Sequence, residues 1–303
     1  MYKNKIAICG TGNEPSISNA GHSIIRGGST MTAQPCSNAT TVTTALLLAA
    51  GTGSRLQPLT LDVPKCLTEV GGIPILKRLV KNLRAQGFER LIVVIGHLGD
   101  HIQKFLQQHA GDMQIDYVFN PDYRTTNNIY SLWLARQQIR EPFLLVESDL
   151  VFETSMLDDM LQADKMAISK ILPWMNGTTV ELGVGLGLER RVTAFRKGGE
   201  HCDGARQYKT VNIYSISLDS WNKVEERLGR YVSEGRLGEY YEVVFAKMIA
   251  DGTLSFDAVF FDANRWYEID TRKDLRAAEN LFARPRSIVS SSLMGIEPAV
   301  TIA

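Results

Sequence analysis

The chain has 303 residues, of which 44% are hydrophobic and 22% charged, a composition that is ordinary for a globular enzyme. Its 33 basic and 33 acidic residues balance, so no overall positive field attracts nucleic acid and any anion must be bound locally. No apolar run approaches the roughly 20 residues that span a bilayer, and the first residues lack the long apolar segment of a signal peptide.

The four cysteines, Cys9, Cys36, Cys66 and Cys202, are scattered and form no CxxC pair. This spacing favours reduced thiols over disulfides or a zinc site. We therefore predict a cytoplasmic protein with no membrane span and no nucleic-acid partner.

Both ends of the chain differ in composition from its middle. Residues 1–43 are rich in Ser, Thr, Asn and Gly without apolar periodicity, which predicts a flexible N-terminal extension. The CGTGN segment within it lacks the spacing of a full dinucleotide fingerprint. Residues 285–303 also lose periodicity and predict a tail or linker. Residues 44–284 are left as the folded domain.

From residue 45 onward, apolar runs alternate with helical patterns. The first run, ALLLAA, has no polar alternation, as expected for a strand that is covered on both faces. This rhythm predicts a doubly wound, Rossmann-like, mostly parallel α/β sheet. The predicted strands are 45–50, 90–96, 115–120 and 143–149, and the predicted helices are 74–87, 99–110 and 127–139.

The second half of the chain is less regular. Four short strand-like pieces joined by polar turns predict a small inserted antiparallel layer, which we expect to bind an acceptor substrate. These pieces are residues 165–172, 184–189, 193–198 and 207–217. Helices at 220–235 and 240–252, strands at 255–263 and 266–270, and a helix at 271–284 follow. Thr271 and Asp274 occupy capping-box positions at the start of that last helix.

A glycine-containing loop follows the first strand, and it carries two cations. Gly51 and Gly53 permit backbone conformations with positive φ and let a phosphate approach closely. Arg55 offers a planar fork for phosphate oxygens and Lys65 a compact charge. The loop lacks the Gly-Lys-Ser/Thr of a Walker motif, and Leu56 stands where the Rossmann fingerprint has its third glycine. A tight turn with a surface arginine is the alternative interpretation.

Two later strands end in acidic residues. Asp149 closes the strand VESD and Asp270 closes WYEID, with Glu147 and Glu268 two residues earlier on the same faces. Open α/β sheets bind ligands at this edge, and Mg²⁺ prefers one or two carboxylates together with phosphate oxygens. The alternative is that both aspartates serve only the helices that follow them.

Polar and aromatic side chains supply further candidates. Asn127, Asn128 and Ser131 begin a predicted helix and are suited to hydrogen bonding with a base or ribose, although capping alone also explains them. Aromatic faces attract an ammonium group, although each of these aromatic residues is also explained as core. The aromatic candidates are Trp174, Tyr208, Tyr214, Tyr240 and Tyr241.

The segment LLLAAGTGSRLQPLTLDVPKCL resembles the nucleotidyltransferases that activate phosphorylated compounds with a nucleoside triphosphate. The resemblance rests on Gly-x-Gly-x-Arg-Leu, Pro-Leu-Thr and Pro-Lys, and it extends over residues 44–284. TTNNIYSLWLA and the later ESD are most similar to small cytidylyltransferases acting on phosphocholine or aminoalkylphosphonates. No hexapeptide-repeat β-helix follows, which favours the same branch.

The resemblance implies a role for each matching residue. Arg55 would hold the β- and γ-phosphates of CTP, Lys65 the α-phosphate and the incoming anion, and Asp149 and Asp270 would ligate Mg²⁺. The nucleotide would be bound by Leu48, Ala49, Ala50, Gly51, Gly53, Ser54, Asn127, Asn128 and Ser131. The region between Asp164 and Asp262 diverges from the family pattern, and there the candidates for binding the acceptor are Lys170, Trp174, Lys209, Tyr240 and Glu242.

The implied reaction is transfer of CMP from CTP to a small phosphate or phosphonate, with release of pyrophosphate. Alternatives are a sugar-1-phosphate nucleotidyltransferase using another nucleotide, a nucleotide-sugar glycosyltransferase, and a nucleotide-binding regulatory module without catalysis. The sequence leaves the oligomeric state open, a homodimer included. It also leaves open that the chain is one module of a longer bifunctional enzyme.

Overall fold

The structure, a computed structural model, describes residues 41–196 and 206–282. Most of the predicted N-terminal extension, the whole predicted tail and three of the cysteines (Cys9, Cys36 and Cys202) lie outside the described residues. The α-helices are α1 Ile75–Ala85, α2 Gly99–His109, α3 Asn128–Ala135, α4 Leu218–Ser233, α5 Tyr241–Ala250 and α6 Arg272–Leu281. The strands are β1 Thr44–Ala49, β2 Glu69–Val70, β3 Ile73–Pro74, β4 Arg90–Ile95, β5 Gln114–Phe119, β6 Phe143–Glu147, β7 Leu150–Phe152, β8 Lys165–Ser169, β9 Thr179–Leu182, β10 Val192–Arg196, β11 Arg206–Ile216, β12 Asp257–Phe261 and β13 Trp266–Glu268.

A parallel sheet forms the centre of the fold. Strand β1 pairs in parallel with β6 on one side and β4 on the other, and β4 pairs in parallel with β5. Along β1, Leu46 faces one hydrophobic core and Leu47 faces the other. Both faces of the strand are therefore buried, which explains its continuous apolar sequence and confirms the predicted mostly parallel sheet.

The antiparallel strands continue this central sheet. The C-terminal half of β11 pairs with β6 and its N-terminal half pairs with β9, while β8 runs along its other edge. Strand β10 pairs with β9, and β12 pairs in parallel with β8. The predicted antiparallel addition is present and is joined to the parallel strands through β11.

One predicted strand is wrong. Residues 184–189, VGLGLE, form a turn, and the strand in this region is β9, which ends at Leu182. Gly185 and Gly187 have φ values of +114° and +82°, in a region that glycine adopts and L-residues avoid. Alternating glycines here bend the chain into a turn, and they leave Val184 and Leu186 exposed.

A small antiparallel sheet brings together the two acidic strand ends. Strand β7 follows Asp149 directly and pairs with β13, which precedes Asp270. The backbone N–H of Ile269 donates to the carbonyl of Asp149 at 2.9 Å. This sheet places two residues that are far apart in sequence at the same edge of the fold. No helix in the described ranges is both long and apolar enough to cross a membrane.

Candidate active site

A cleft with a volume of about 1300 Å³ lies at the carboxyl ends of the parallel strands. It is lined by the end of β1 and the loop after it, the start of α3, the ends of β6 and β13, and one face of α5. Pockets for one small ligand are typically about 300–1000 Å³. The cleft therefore has room for a nucleotide and a second small molecule together.

Residues 50–65, which we name the glycine loop, form one wall of the cleft. Gly53 has a φ of +63°, and a Cβ atom there would lie 3.1 Å from the Cβ of Lys65. Gly51 does not have a positive φ, contrary to the expectation for both glycines, and a Cβ added to it would meet nothing within 4 Å. Gly53 is thus required by backbone geometry, whereas Gly51 leaves clearance on the cleft side.

Two hydrogen bonds, one from a side chain and one from the backbone, hold the glycine loop in place. The buried hydroxyl of Thr60 donates to the carbonyl of Gly53 at 2.8 Å. The backbone N–H of His97 donates to the carbonyl of Ala50 at 3.0 Å. Thr60 was not among the sequence candidates, although the Pro-Leu-Thr motif was the signal that contained it.

A cluster of opposite charges lies beside the glycine loop. The Nζ atom of Lys65 is 2.6 Å from Asp149 Oδ2 and 2.7 Å from Asp270 Oδ1, and Arg55 is 2.9 Å from the same Asp270 oxygen. Burial alone would lower the pKa of Lys65, but the two carboxylates raise it above its ordinary value. Lys65 therefore carries its charge throughout the neutral range. Arg55, with 68% of its side chain exposed, is the accessible cation of the cluster.

Helix capping does not explain the two aspartates. The 3₁₀ helix Thr154–Met160 has Glu153 as its N-cap residue, four positions after Asp149. Helix α6 is capped by Thr271, which forms the predicted capping box with Asp274. Both aspartates are left to face the cleft.

The same two aspartates fit a metal ion that is shared with a phosphate. Asp149 Oδ1 is buried and has no hydrogen-bond partner within the described residues, so one oxygen is available as a ligand. Asp149 and Asp270 already share one cation, the ammonium of Lys65. The described residues contain no group of three or more His, Cys, Asp or Glu that could hold a metal. This donor set suits Mg²⁺, which needs only one or two carboxylates when substrate phosphates complete its coordination.

Three glutamates, Glu147, Glu242 and Glu268, also line the cleft, and we name this group the acidic end. Burial raises the pKa of Glu147 well above its ordinary value, and the charges of Asp149 and Glu242 add to the effect. Burial also raises the pKa of Glu242 to about 6, although hydrogen bonds and the charge of Lys209 limit the rise. The Oε2 atom of Glu242 is buried without a hydrogen-bond partner in the described part of the chain. A bound cation that donates hydrogen bonds would offset both the burial of these carboxylates and the missing donor to Glu242.

Lys209 and Asn212, both on β11, hold the third glutamate. Lys209 Nζ is 3.2 Å from Glu268 Oε2 and donates to the carbonyl of Thr210 at 2.8 Å. Asn212 donates to Glu268 Oε1 at 3.4 Å, from a backbone with a φ of +60°. The pairing of β11 with β8 shifts register at this point, and the resulting bulge accommodates Asn212 beside Glu268. The sequence carries no local signal of that bulge.

The aromatic candidates separate into two groups. Trp174 stacks on Tyr267 with ring centroids 4.3 Å apart, and both line the cleft, as does the exposed Tyr240. Tyr214 and Tyr241 are fully buried in a hydrophobic core. Tyr208 packs against Phe260 and is not among the residues that line the cleft.

The asparagines predicted to contact a nucleotide form hydrogen bonds with the protein. Asn127 accepts from the backbone N–H of Asn128 as the N-cap of α3. Asn128 donates to Glu147 and accepts from the backbone N–H of Tyr241. Ser131 accepts from the buried Asn120 at 3.0 Å. Their side chains thus organise the junction between α3, β6 and α5.

Comparison with known proteins assigns a domain to the chain. Residues 45–180 match the model of the MobA-like NTP transferase domain. The CMP-5'-(3-aminopropyl)phosphonate synthase of Streptomyces rubellomurinus is 32% identical over 250 residues, which are 80% of this chain and 39% of that protein. The choline-phosphate cytidylyltransferase of Streptococcus pneumoniae is 24% identical over 241 residues, which are 78% of this chain and 97% of that protein. Residues 45–180 of the chain thus form a MobA-like NTP transferase domain.

The fold of the chain agrees with a solved structure. The CTP:phosphocholine cytidylyltransferase from Streptococcus pneumoniae superposes with a TM-score of 0.65 at 20% identity, covering 80% of this chain and 99% of that one. The resemblance drawn from the motifs is confirmed, and so is the fold class.

Apart from the aromatic candidates described above, the cleft collects all but one of the residues that the family resemblance assigned to the site. Lys170 is the exception, because it follows the last residue of β8 with an exposed side chain and does not line the cleft. The lining residues that had been predicted are Leu48, Ala49, Ala50, Gly51, Gly53, Ser54, Arg55, Lys65, Asn127, Asn128, Ser131, Asp149, Trp174, Lys209, Tyr240, Glu242 and Asp270. Lining residues that had not been proposed include Asn120, Tyr123, Asn176, Asn212, Lys247, Tyr267 and Lys273.

Proposed function

We propose that this chain transfers CMP from CTP to a small phosphonate or phosphate that carries an ammonium group, and releases pyrophosphate. The observation that carries the proposal is that two groups of opposite charge line one cleft. The glycine loop offers Arg55 and Lys65 to anions, and the acidic end offers Glu147 and Glu242 to a cation. A zwitterionic acceptor matches that order of charges.

The proposed reaction is an in-line displacement at the α-phosphorus of CTP. An oxygen of the acceptor's phosphonate or phosphate forms the new P–O bond while the bond to pyrophosphate breaks, and the electron pair leaves with pyrophosphate. The attacking oxygen is already an anion, so no strong general base is required. Lys65 and Arg55 align the reacting groups and neutralise the charge that develops on the phosphate oxygens.

Asp149 and Asp270 are the residues that would hold Mg²⁺ in this site. Bound there, the ion would polarise phosphate oxygens and neutralise part of their charge. The unpartnered Asp149 oxygen supports this assignment.

The acidic end favours a primary amine as the cationic part of the acceptor. Glu242 presents a buried oxygen without a donor, and an ammonium with N–H groups satisfies it, whereas a quaternary ammonium has none. The aminopropylphosphonate relative is named for such an amine and the choline-phosphate relative for a quaternary one. The buried acids also disfavour a neutral sugar 1-phosphate, because nothing in such a substrate offsets their charge.

We further propose that residues 44–284 form a single catalytic module. The chain spans 39% of the length of the aminopropylphosphonate relative, which leaves room for the same module within a longer protein.

A screen of pyrophosphate release tests the proposed function. Four nucleoside triphosphates would be combined with 2-aminoethylphosphonate, 3-aminopropylphosphonate, phosphoethanolamine, phosphocholine and glucose 1-phosphate, in the presence of Mg²⁺. We expect release with CTP and the primary-amine acceptors. The isosteric Asp149→Asn variant serves as the inactive control. Release with glucose 1-phosphate alone, or with no acceptor at all, would contradict the proposal.

A further inference from the structure

Asn128 joins three elements at the acidic end of the cleft. It is the first residue of α3, and its Nδ2 atom donates to Glu147 Oε1 at 3.1 Å, at the end of β6. Its Oδ1 atom accepts from the backbone N–H of Tyr241 at 3.0 Å, at the first residue of α5. Glu242 is the next residue of α5, so one side-chain amide fixes the positions of two facing glutamates.

The separation of these glutamates needs such a support. Glu147 and Glu242 both line the cleft, both are partly buried, and the charge of Glu242 acts on the carboxyl group of Glu147. Like charges in a low-dielectric site repel each other, and neutral hydrogen-bond donors or nearby cations offset that repulsion. Asn128 is a neutral residue that donates to one glutamate and anchors the helix that carries the other.

Thr125 offers a comparison outside this junction. It lies three residues before Asn128, is exposed and does not line the cleft. Its hydroxyl donates to the carbonyl of Asp122 at 3.2 Å. Removing that hydroxyl tests the loss of a nearby hydrogen bond that involves neither Asn128 nor a glutamate.

We propose that Asn128 is a positioning residue that sets the spacing of Glu147 and Glu242, and thereby selects the length of the acceptor between its ammonium and its phosphorus. This inference rests on the proposed function, because it assumes an acceptor with a cationic end. Asn128 acts through the glutamates and does not read the nucleotide base. Its loss changes acceptor recognition and leaves CTP recognition in place.

The test uses Asn128→Ala and the isosteric Asn128→Asp, with Thr125→Val as the control. Calorimetry would measure binding of 2-aminoethylphosphonate and 3-aminopropylphosphonate, which does not depend on turnover, and steady-state assays would give both KM values. For Asn128→Ala we expect acceptor binding to weaken about tenfold or more, the scale of one hydrogen bond to a charged group. The preference between the two linker lengths should shrink, while KM for CTP stays within about twofold, as one lost acceptor contact leaves the CTP contacts intact.

Asn128→Asp keeps the acceptor for the Tyr241 N–H but places a carboxylate beside Glu147 where the donor had been. The repulsion should displace Glu147, so the linker preference should change while KM for CTP stays constant, which separates positioning from base reading. Thr125→Val should leave acceptor binding and linker preference unchanged. A rise in KM for CTP, or relaxed discrimination between CTP and UTP in Asn128→Ala, would show base reading and overturn the inference.

Failure of the proposed function gives a different result. If wild-type protein binds the aminoalkylphosphonates without releasing pyrophosphate, the proposed reaction is wrong while the calorimetric comparison still decides the role of Asn128. If the wild-type protein binds neither acceptor, both proposals are overturned.

Discussion

The glycine loop and the acidic end belong to one cleft, yet they are built from different kinds of interaction. The glycine loop is a continuous stretch of chain, shaped by a left-handed glycine and pinned by Thr60 seven residues away. The acidic end takes its three glutamates from β6, α5 and β13, and its supporting side chains from α3 and β11. Local backbone geometry determines the first region, and long-range packing determines the second.

The difference predicts how each region responds to change. Substitutions in the glycine loop should affect nucleotide handling and the chemical step. Substitutions at the acidic end should affect acceptor affinity and leave nucleotide affinity unchanged. Each prediction below tests this separation.

The largest effect is expected for Lys65→Ala. The substitution removes the charge that lies 2.6 Å from Asp149 and 2.7 Å from Asp270, together with the proposed contact to the reacting phosphates. We expect kcat/KM to fall by about 10²–10³, the scale of one lost transition-state contact. Steady-state pyrophosphate release measures it. Lys273→Ala, which removes an exposed charge from the same cleft, is the control, and its kcat/KM should fall far less. Equal losses of kcat/KM in the two variants would mean that Lys65 contributes only to the overall positive charge of the cleft and makes no specific contact.

Glu242→Gln is the corresponding test of the acidic end. It keeps the shape of a side chain whose Oε2 atom is buried without a partner, and it removes the charge. We expect the acceptor KM to rise about tenfold to a hundredfold, as for a hydrogen bond to a charged group, with little change in KM for CTP. Glu239→Gln is the matched control, because Glu239 pairs with Arg236 and does not line the cleft.

The pH dependence of the same glutamate gives an independent check. The pKa of Glu242 is raised to about 6, and an ammonium binds its ionised form. Acceptor affinity should therefore increase as the pH rises through about 6, and this increase should be reduced in Glu242→Gln. Without acceptor, the raised pKa means that Glu242 holds its proton more tightly in the folded chain than in the unfolded chain. The protonated Glu242 therefore contributes to the free energy of unfolding at low pH, and this contribution is lost as the pH rises through about 6. An identical pH profile for wild type and Glu242→Gln would contradict the assignment.

Gly53→Ala and Gly51→Ala separate two uses of glycine within the glycine loop. Alanine at position 53 must adopt a φ of +63° and crowd Lys65, so we expect a loss of about 1–2 kcal/mol in the free energy of unfolding. Alanine at position 51 meets no protein atom within 4 Å, so stability should not change. Its methyl group projects on the cleft side, so KM for CTP should rise. Denaturant unfolding and steady-state kinetics measure the two effects, and a reversed pattern would refute the backbone argument.

The same contrast explains what the sequence could predict. The parallel sheet and the glycine loop were predictable because apolar runs, glycines and the Arg55–Lys65 spacing are local patterns. Asp149 and Asp270 were predictable as candidates because each ends a strand-like segment, although the antiparallel pairing of β7 with β13 is what brings them together. Asn212 was not, since it reaches Glu268 only through a register shift between β11 and β8.

Two wrong expectations have the same origin. Lys170 was proposed for the acceptor on residue type alone, but strand β8 ends before it and leaves it outside the cleft. Residues 184–189 alternate apolar residues with glycine, which imitates a strand, but the glycines at 185 and 187 form a turn. In both cases the outcome depends on where strands pair and end, and a single sequence does not show that pairing.

The smallest effect is expected for Thr60→Val, which probes how far the glycine loop depends on its local support. The substitution keeps the volume of a buried side chain and removes the donor to the Gly53 carbonyl. One lost hydrogen bond of this kind costs about 1 kcal/mol in the free energy of unfolding. If the loop is held locally, KM for CTP should rise a few-fold while the acceptor KM stays constant. Thr125→Val is the control, because it removes a similar hydrogen bond, to the Asp122 carbonyl, from an exposed position outside the cleft. Equal changes in both KM values for Thr60→Val would show that the two ends of the cleft are mechanically coupled.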